Sequence, residues 1–433
     1  MAMTSLVMII VILAILLVIG VPISYSIGIA SLFTILQTVP LDISVVTGAQ
    51  RIFVGMSKFS LTAIPFFILA GNLMNQGGIA KRLVNFVMAI LGKLPGALLV
   101  TNVGANALFG AISGSASAAA AAVGSMVREG EEEQGYDVAL CAATNGASAP
   151  SGLLIPPSNA LITYSLAAGG TSVAALFMAG YLPGIIWALA CMVVAIIIAK
   201  KKGYKGTPGK FSWANLGKAT LQAIPSLSLI VVVIGGIIIG AFSATEGSAI
   251  AVVYALILGI CYRNISLKSF WDIVVDSAKM SGMVVFLIGV SNILGWVMAF
   301  LQIPQAVSAA LLGITDNKIV ILLIMNVILL VAGTFMDVTP AILIFTPLFL
   351  PIVQTFGMDP IHFGLILVYN LCIGNITPPV GNTLFVAIKV GRSSLAKTMP
   401  YMLWYYVAIL VGLLLVTYVP AISMILPQMA GLA

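Results

Sequence analysis

Long apolar stretches separated by short polar turns occupy nearly the whole chain. Residues 4–37 are almost continuously apolar and are divided at Gly20-Val21-Pro22, and residues 219–262 repeat this arrangement with a division at Gly240-Ala241-Phe242-Ser243. A helix of about 20 apolar residues spans a bilayer, so both stretches predict transmembrane helices. Because proline interrupts a helix interior, residues 4–37 form either one long kinked helix or two short ones.

Charged positions interrupt the apolar pattern at about 42–58 and at about 264–279, two segments that lie 222 residues apart. Each mixes charges with large apolar side chains, which is typical of a helix lying along the membrane surface. Ahead of the second segment, Ser243-Ala244-Thr245-Glu246 matches the capping box that begins a helix. Glu246 therefore has two interpretations, a helix cap or a functional acid inside the membrane.

In each half of the chain, two apolar arms meet at a tip of small or polar residues. The first hairpin is predicted at about 82–129 with its tip at 110–117, and the second at about 318–356 with its tip at 333–340. Arms that enter and leave on one side make a re-entrant hairpin whose tip lies near the membrane midplane. Runs of small residues such as 116–125 also allow tight helix packing, and the sequence leaves this alternative open.

Two further apolar segments are interrupted by paired prolines. The segment at about 138–164 contains Pro156-Pro157, and the segment at about 361–390 contains Pro378-Pro379, again 222 residues later. Irregular backbone inside a membrane is tolerated only where it faces protein or water. Paired broken helices in the two halves of a membrane protein indicate a transporter binding site.

The shared spacing of surface segments, hairpins and breaks predicts a tandem duplication. The first repeat is residues 1–199, the linker is 200–218, and the second repeat is 219–433. The linker is rich in lysine, which predicts a cytoplasmic location. Counting spans from the linker gives the repeats opposite orientations, as alternating access requires. The predicted fold is an all-α integral membrane protein, an inverted-repeat secondary transporter with two re-entrant hairpins and two broken helices.

Composition supports the membrane assignment. With 61% hydrophobic and only 7% charged residues, a soluble fold is excluded, and the lipid bilayer is the surrounding medium. The formal net charge is +7, but the cations lie in short loops between spans, where they set topology. No nucleic-acid partner is therefore inferred.

The restarted half-helices suggest the chemistry of a substrate. After each proline pair, a half-helix presents its positive N-terminal end to one common centre, which suits a carboxylate. The predicted substrate-binding residues are Ser115, Ser117, Pro156, Pro157, Ser158, Asn159, Thr377 and Asn382.

The two tips suggest a cation site. Their hydroxyl, carbonyl and carboxylate oxygens are hard donors that suit a small hard cation, and no cluster of His and Cys competes for a transition metal. Sodium is the natural candidate for this cation, and no cofactor is expected. The predicted sodium ligands are Gly110, Ser113, Ser115, Asn145, Gly146, Gly333, Thr334, Asp337, Gly374, Thr377, Pro378 and Gly381.

A family resemblance rests on these same motifs. The stretches GAISGSASA from Gly110, NGASAPSGLLIPPS from Asn145, SATEGSA from Ser243 and GNITPPVGN from Gly374 resemble the large membrane subunit of tripartite ATP-independent periplasmic (TRAP) transporters. The resemblance covers essentially the whole chain. It implies a multi-pass protein of the bacterial inner membrane that imports an organic acid with sodium, by an elevator movement of the hairpins and broken helices past a scaffold.

The resemblance also implies partners. A periplasmic substrate-binding protein delivers the acid, and a small four-helix membrane subunit, expected here as a separate chain, packs against the large one. Sialic acid or a C4-dicarboxylate is the expected substrate. An intramembrane enzyme is the alternative from another class, but Ser113, Ser115 and Ser117 have no nearby His or Lys to act as a base. A channel is a third alternative.

Overall fold

A computed structural model describes residues 2–206, 212–315 and 317–432, and within these ranges the ordered elements are all helical. Part of the predicted linker, including Lys210, lies outside the described residues. The first half folds in chain order as α1 (Ala2–Ile19), α2 (Ile23–Ile35), α3 (Leu41–Met56), a 3-10 turn (Phe59–Thr62), α4 (Ala63–Gln76), α5 (Ile79–Leu91), α6 (Ala97–Ser113), α7 (Ala116–Glu133), α8 (Val138–Ser148), α9 (Ser151–Leu154), α10 (Asn159–Ala167) and α11 (Val173–Lys202).

The second half repeats the pattern of long helices, a hairpin and a broken helix. It folds in chain order as α12 (Trp213–Ile238), α13 (Ala244–Cys261), α14 (Leu267–Phe300), α15 (Ile303–Ile314), α16 (Lys318–Phe335), α17 (Val338–Thr355), α18 (Pro360–Gly374), α19 (Asn382–Val390), α20 (Leu395–Tyr418) and α21 (Ala421–Met429). Within the described residues, eight helices are long and apolar enough to cross a bilayer, or up to ten if each bent pair is one span. The predicted all-α membrane fold with hairpins and broken helices is confirmed.

The first apolar stretch forms two helices rather than one kinked helix. α1 ends at Ile19, Gly20 adopts a positive φ of 92°, and α2 begins directly after Pro22. Proline at this position restricts the backbone and lacks an N–H group, while glycine permits the left-handed conformation that ends α1. The choice that the sequence left open is thereby decided by three consecutive residues.

The second surface segment is not a separate helix, so the prediction at about 264–279 is wrong. α14 continues from Leu267 to Phe300 as one helix of 34 residues. In the first repeat, by contrast, α3 and α4 are separate, and Pro65 lies in the first turn of α4. The position 222 residues after Pro65 holds Leu287, whose backbone N–H allows the helix to continue.

The first hairpin begins later than the predicted boundary of about 82. Residues 79–91 form α5, an amphipathic helix of its own, and Pro95 and Gly96 separate it from α6. Gly96 has a φ of 70°, and a Cβ there would lie 2.5 Å from Cβ of Ala199. The arms of the hairpin are therefore α6 and α7.

The helices pack as two groups. The scaffold bundle consists of α1–α4 and α12–α14, and the hairpin bundle consists of α6–α11 and α16–α21. Between them, α5 packs against α6 and α12, while α15 packs against α17 and α1. The groups approach closely at the first hairpin, where a Cβ on Gly71 of α4 would lie 2.7 Å from the carbonyl oxygen of Ser113.

Asp137 fixes the start of the first broken helix. Its carboxylate accepts a hydrogen bond from the Ala139 N–H at 2.9 Å, pairs with Lys202 Nζ at 2.6 Å, and accepts the Tyr401 hydroxyl at 2.6 Å. Burial disfavours the charged carboxylate, but the hydrogen bonds from Lys202 and Tyr401 outweigh it and lower the pKa of Asp137 to about 2. The start of α8 is thus held to the ends of α11 and α20.

Candidate functional site

The tip of the first hairpin contacts the first helix break. α6 ends at Ser113, Gly114 has a φ of 63°, and the Ser115 side chain caps α7 by accepting the Ala118 N–H at 3.3 Å. A Cβ on Gly114 would lie 2.9 Å from Nδ2 of Asn159, the first residue of α10. The tip can approach α10 this closely because position 114 has no side chain.

At the first break, the segment between α9 and α10 is not helical. Pro156 and Pro157 occupy this segment, joined by a cis peptide bond, and Ser158 caps α10 by accepting the Leu161 N–H at 3.3 Å. The Ser158 hydroxyl also donates to the Leu153 carbonyl. Ser117 lies in the first turn of α7 and is partly exposed. The structure thus brings Ser115, Ser158 and Asn159 together at the first tip.

The second tip has the same construction with different side chains. Asp337 caps α17 by accepting the Val338 N–H at 2.9 Å, and its carboxyl also interacts with the side chain of Asn382, the first residue of α19. The Val380 N–H donates to the Thr334 carbonyl at 3.1 Å, which joins the tip to the second break. Asp337 is exposed at the surface of the hairpin bundle.

The remaining predicted residues of the second site lie along the second break. Thr377 donates its hydroxyl to the Ile373 carbonyl at 2.7 Å, and Pro378 follows it with a cis bond to Pro379. Gly381 has a φ of 35°, and a Cβ there would lie 3.0 Å from the Thr377 carbonyl oxygen. The chain therefore folds back tightly just before α19 begins.

Each hairpin packs against its broken helix at a pair of glycines, one on each element. A Cβ on Gly152 would lie 2.2 Å from Gly110 Cα, and a Cβ on Gly374 would lie 2.4 Å from the Gly333 carbonyl carbon. Real Cβ atoms do not approach backbone this closely, so only glycine fits at these crossings. The two crossings are equivalent, since Gly374 follows Gly152 by 222 residues.

The two broken helices also touch each other at equivalent positions. The Cys372 thiol lies 3.9 Å from the Pro150 carbonyl oxygen, and these residues are 222 apart. A residue that contacts its own repeat equivalent lies near the axis that relates the repeats, as in an isologous interface. Moreover, α10 packs against α17 and α19 against α7, so each half-helix lies beside the hairpin of the other repeat.

Two predicted sodium ligands lie on α8 rather than in a hairpin tip. Asn145 is one turn of α8 before Ala149, and its amide donates to the Ala120 carbonyl at 2.8 Å. Gly146 faces α19, where a Cβ would lie 3.3 Å from Cβ of Ala387. The structure does not bring Gly146 to the first tip, although it does place Gly110 and Ser113 there.

Sequence reasoning missed a buried amide network behind the first tip. The Asn106 side chain donates to Asn102 at 2.8 Å, to Asn145 at 3.0 Å and to Ser148 at 2.9 Å. In the second repeat, Asn370 donates to Asn326 at 2.6 Å. Polar side chains inside apolar helices are a detectable signal, since they are costly in a membrane. These asparagines were overlooked because they lie within helices and not at the hairpin tips.

The cap interpretation of Glu246 is confirmed. Ser243 accepts the Glu246 N–H at 3.2 Å, and the Glu246 carboxylate accepts the Ser243 N–H at 2.7 Å. This reciprocal pair satisfies two donors at the start of α13. Glu246 is exposed and belongs to the scaffold bundle, apart from both tips.

Two re-entrant hairpins and two broken helices in an all-helical membrane chain define the class of protein, a membrane transporter. The sequence profile of the family described as "Tripartite ATP-independent periplasmic transporter, DctM component" matches residues 10–422. The chain belongs to this family, whose members are transport proteins of the inner membrane rather than enzymes.

Relatives match along nearly the full chain. The uncharacterized protein YgiK of Salmonella typhimurium is 50% identical over 96% of this chain and 95% of its own length. The isethionate TRAP transporter permease protein DctMQ of Oleidesulfovibrio alaskensis is 42% identical over 95% of this chain and 64% of its own length. The C4-dicarboxylate TRAP transporter large permease protein DctM of Pseudomonas aeruginosa is 38% identical over 94% of this chain and 95% of its own length.

A solved structure shares the fold. The YdaH transporter of Alcanivorax borkumensis, described as having an unusual topology, aligns with a TM-score of 0.56 over 83% of this chain and 85% of that chain. The sequence identity is 14%, so the likeness concerns architecture alone.

Proposed function

We propose that this chain is the translocating subunit of a sodium-driven importer of small organic acids. The observation that carries the proposal is the meeting of each hairpin tip with a helix break, where the N-termini of α7, α10, α17 and α19 lie near hydroxyls and one carboxylate. Helix N-termini attract an anion, while Asp337 attracts a cation. A site with both features suits the coupled transport of an acid with sodium.

The proposed movement is an elevator. The hairpin bundle contains both tips and both breaks, and the scaffold bundle contains neither. Contacts such as Pro150 with Cys372 join the two repeats inside the hairpin bundle, which favours its movement as one body. Exchange of the conformations of two inverted repeats would then move the site from one membrane face to the other.

The proposed substrate is sialic acid or a C4-dicarboxylate, and the relative named for isethionate extends the class to other small organic anions. We further propose that a periplasmic binding protein delivers the acid. A small four-helix subunit would cover the lipid-facing scaffold, and the fused name and longer chain of DctMQ support this pairing.

Uptake by the reconstituted complex tests the proposal. Proteoliposomes containing this chain and the small subunit should accumulate labelled acid when sodium is outside and a loaded binding protein is supplied. Succinate, sialic acid and isethionate form the panel, and potassium in place of sodium is the control. Accumulation that is equal in both salts would contradict sodium coupling, whereas equilibration without accumulation would indicate a channel.

The proposed topology predicts opposite accessibility at two positions. Lys200 lies near the end of α11 beside the lysine-rich linker, and Ala430 directly follows α21, so a cysteine at either position marks one of the two regions. In a background without the four native cysteines, an impermeant thiol reagent should label Lys200→Cys from the cytoplasm only and Ala430→Cys from outside only. Labelling of both from the same side would mean that the number of spans between them is wrong.

A further inference from the structure

A cavity of about 390 Å³ lies between part of the scaffold bundle and part of the hairpin bundle. Its scaffold wall comes from α3 and from α14, where Ser291, Asn292 and Trp296 face it. Its other wall comes from the C-terminal end of α10 and from α17, through Leu343 and Pro347. Its volume falls within the usual range for small-molecule sites, roughly 300–1,000 Å³.

Two cations line this cavity without an opposing acid. Arg51 on α3 and Lys58 just after it both reach the wall, and no carboxylate appears among its lining residues within the described ranges. Neither side chain forms an ion pair with any residue that the structure describes. Arg51 and Lys58 are both exposed residues of the cavity lining, so their charges are accessible to a ligand in the cavity.

The cavity lies away from the tips themselves. Leu343 and Pro347 follow Val338, the first residue of α17, by five and nine positions. At about 1.5 Å per residue, these side chains are roughly 8 and 13 Å along the helix from the second tip. Leu166 and Gly169 mark the corresponding far end of the first broken helix. The topology proposed above places this end on the outer side.

We propose that this cavity is an antechamber in which Arg51 and Lys58 capture the anionic group of the substrate before it reaches the tips. The inference rests on the proposed function, because it assumes that the cargo is an organic anion. The cations belong to the scaffold, so they attract the anion without travelling with the hairpin bundle. They therefore select the substrate on entry rather than hold it during translocation.

Electrostatic focusing explains how two cations in a cavity can capture an anionic substrate. Like charges in a cleft with low-dielectric walls raise the local concentration of an oppositely charged ligand and increase its association rate by about 10- to 1,000-fold. The effect weakens with salt, since the Debye length falls from about 30 Å at 0.01 M to about 3 Å at 1 M ionic strength. The antechamber thus predicts a salt-dependent entry step.

A charge-selective thiol reaction tests the antechamber without knowledge of the substrate. Ala299→Cys places an exposed thiol on the cavity wall in a background without native cysteines. In the assembled complex, a sulfonate-bearing methanethiosulfonate should react faster than a trimethylammonium-bearing one, relative to their rates with free mercaptoethanol. Arg51→Gln/Lys58→Gln should lower this rate ratio by roughly 10-fold at low salt.

Matched variants separate charge from folding. Arg51→Lys/Lys58→Arg keeps both charges and should keep the ratio. Lys318→Gln removes a cation that lines a different cavity and should also leave the ratio unchanged. An equal ratio in all variants would overturn the antechamber. The thiol readout can be compared between variants because every one of them carries the same Ala299→Cys substitution.

Uptake provides the second arm and separates the two proposals. If the wild-type complex imports succinate, sialic acid or isethionate, Arg51→Gln/Lys58→Gln should lower the rate at limiting acid, with the deficit disappearing in high salt. Lost uptake with an unchanged thiol ratio would overturn the antechamber and indicate docking of the binding protein instead. No wild-type uptake of any acid would refute the proposed function, while the thiol ratio would still report on the charge of the cavity.

Discussion

Alanine at Gly152 or Gly374 is expected to abolish transport while leaving a folded protein in the membrane. The added Cβ would lie 2.2 Å from Gly110 Cα in the first case and 2.4 Å from the Gly333 carbonyl carbon in the second. Both neighbours are backbone atoms, so no side-chain rotation relieves the overlap. The hairpin must move away from the break, and overpacking of this kind costs about 1–3 kcal/mol.

Helical glycines elsewhere provide the control. Gly235 in α12 and Gly282 in α14 have open space where a Cβ would project. Gly235→Ala and Gly282→Ala should therefore keep wild-type uptake and gain up to about 1 kcal/mol in helix stability. Uptake per folded molecule, measured beside the melting temperature in detergent, distinguishes the two sets. Normal uptake in both crossing variants would mean that the close approach of hairpin and break is not needed for the site.

The tips and breaks were predictable because they contradict their surroundings. Proline pairs and polar residues are costly inside an apolar helix, so Pro156, Pro378 and Asp337 stand out in the sequence alone. Repetition at a fixed spacing then identified the two halves. Features of this kind can be recognised from neighbouring residues alone, without knowledge of the tertiary structure.

The crossings were harder to predict because they depend on pairs of distant residues. Gly152 lies in the stretch NGASAPSGLLIPPS, yet its partner Gly110 lies 42 positions earlier and no local pattern links the two residues. The same limit applies to Asn106, whose hydrogen bonds reach Asn145 and Ser148 in another helix. Which small or polar residues meet is decided by how α6 packs on α8 and α9.

The surface helices show a different limit. Their compositions are alike, and the first is separate from the following helix while the second is continuous with it. Pro65 lies in the first turn of α4, and the equivalent position of the continuous helix α14 holds Leu287, so the two repeats differ in sequence near the point where one helix is broken. A repeat therefore predicts which elements occur more reliably than it predicts where each one ends.

Capping alone does not explain the carboxylate at the second tip. Asp337 caps α17, and the equivalent residue 222 positions earlier, Ser115, caps α7 with a neutral hydroxyl. A neutral cap is thus sufficient for a hairpin tip of this construction. We propose that the charge of Asp337 attracts the coupling cation, because an uncompensated carboxylate inside a membrane is costly.

Asp337→Asn separates the two roles. Asparagine is as good an N-cap as aspartate, so the variant keeps the cap of α17 and loses only the charge, whereas Asp337→Ala loses both. We expect both variants to lose sodium-driven uptake, with sodium binding weakened at least about 100-fold, equivalent to roughly 2.7 kcal/mol. Asp359→Asn is the matched control, because Asp359 also caps a helix by accepting a backbone N–H, that of Ile361, but lies away from both tips.

Thermal stability gives a readout that does not require transport. A ligand that binds only the folded state stabilises it by RT ln(1 + [L]/Kd), so sodium should raise the melting temperature of the wild type and of Asp359→Asn. It should not do so for Asp337→Asn or Asp337→Ala, and only the alanine variant should be less stable without sodium, since it alone lacks the cap. If Asp337→Asn retains the sodium-dependent shift and wild-type uptake, the carboxylate is only a cap and the coupling ion binds elsewhere.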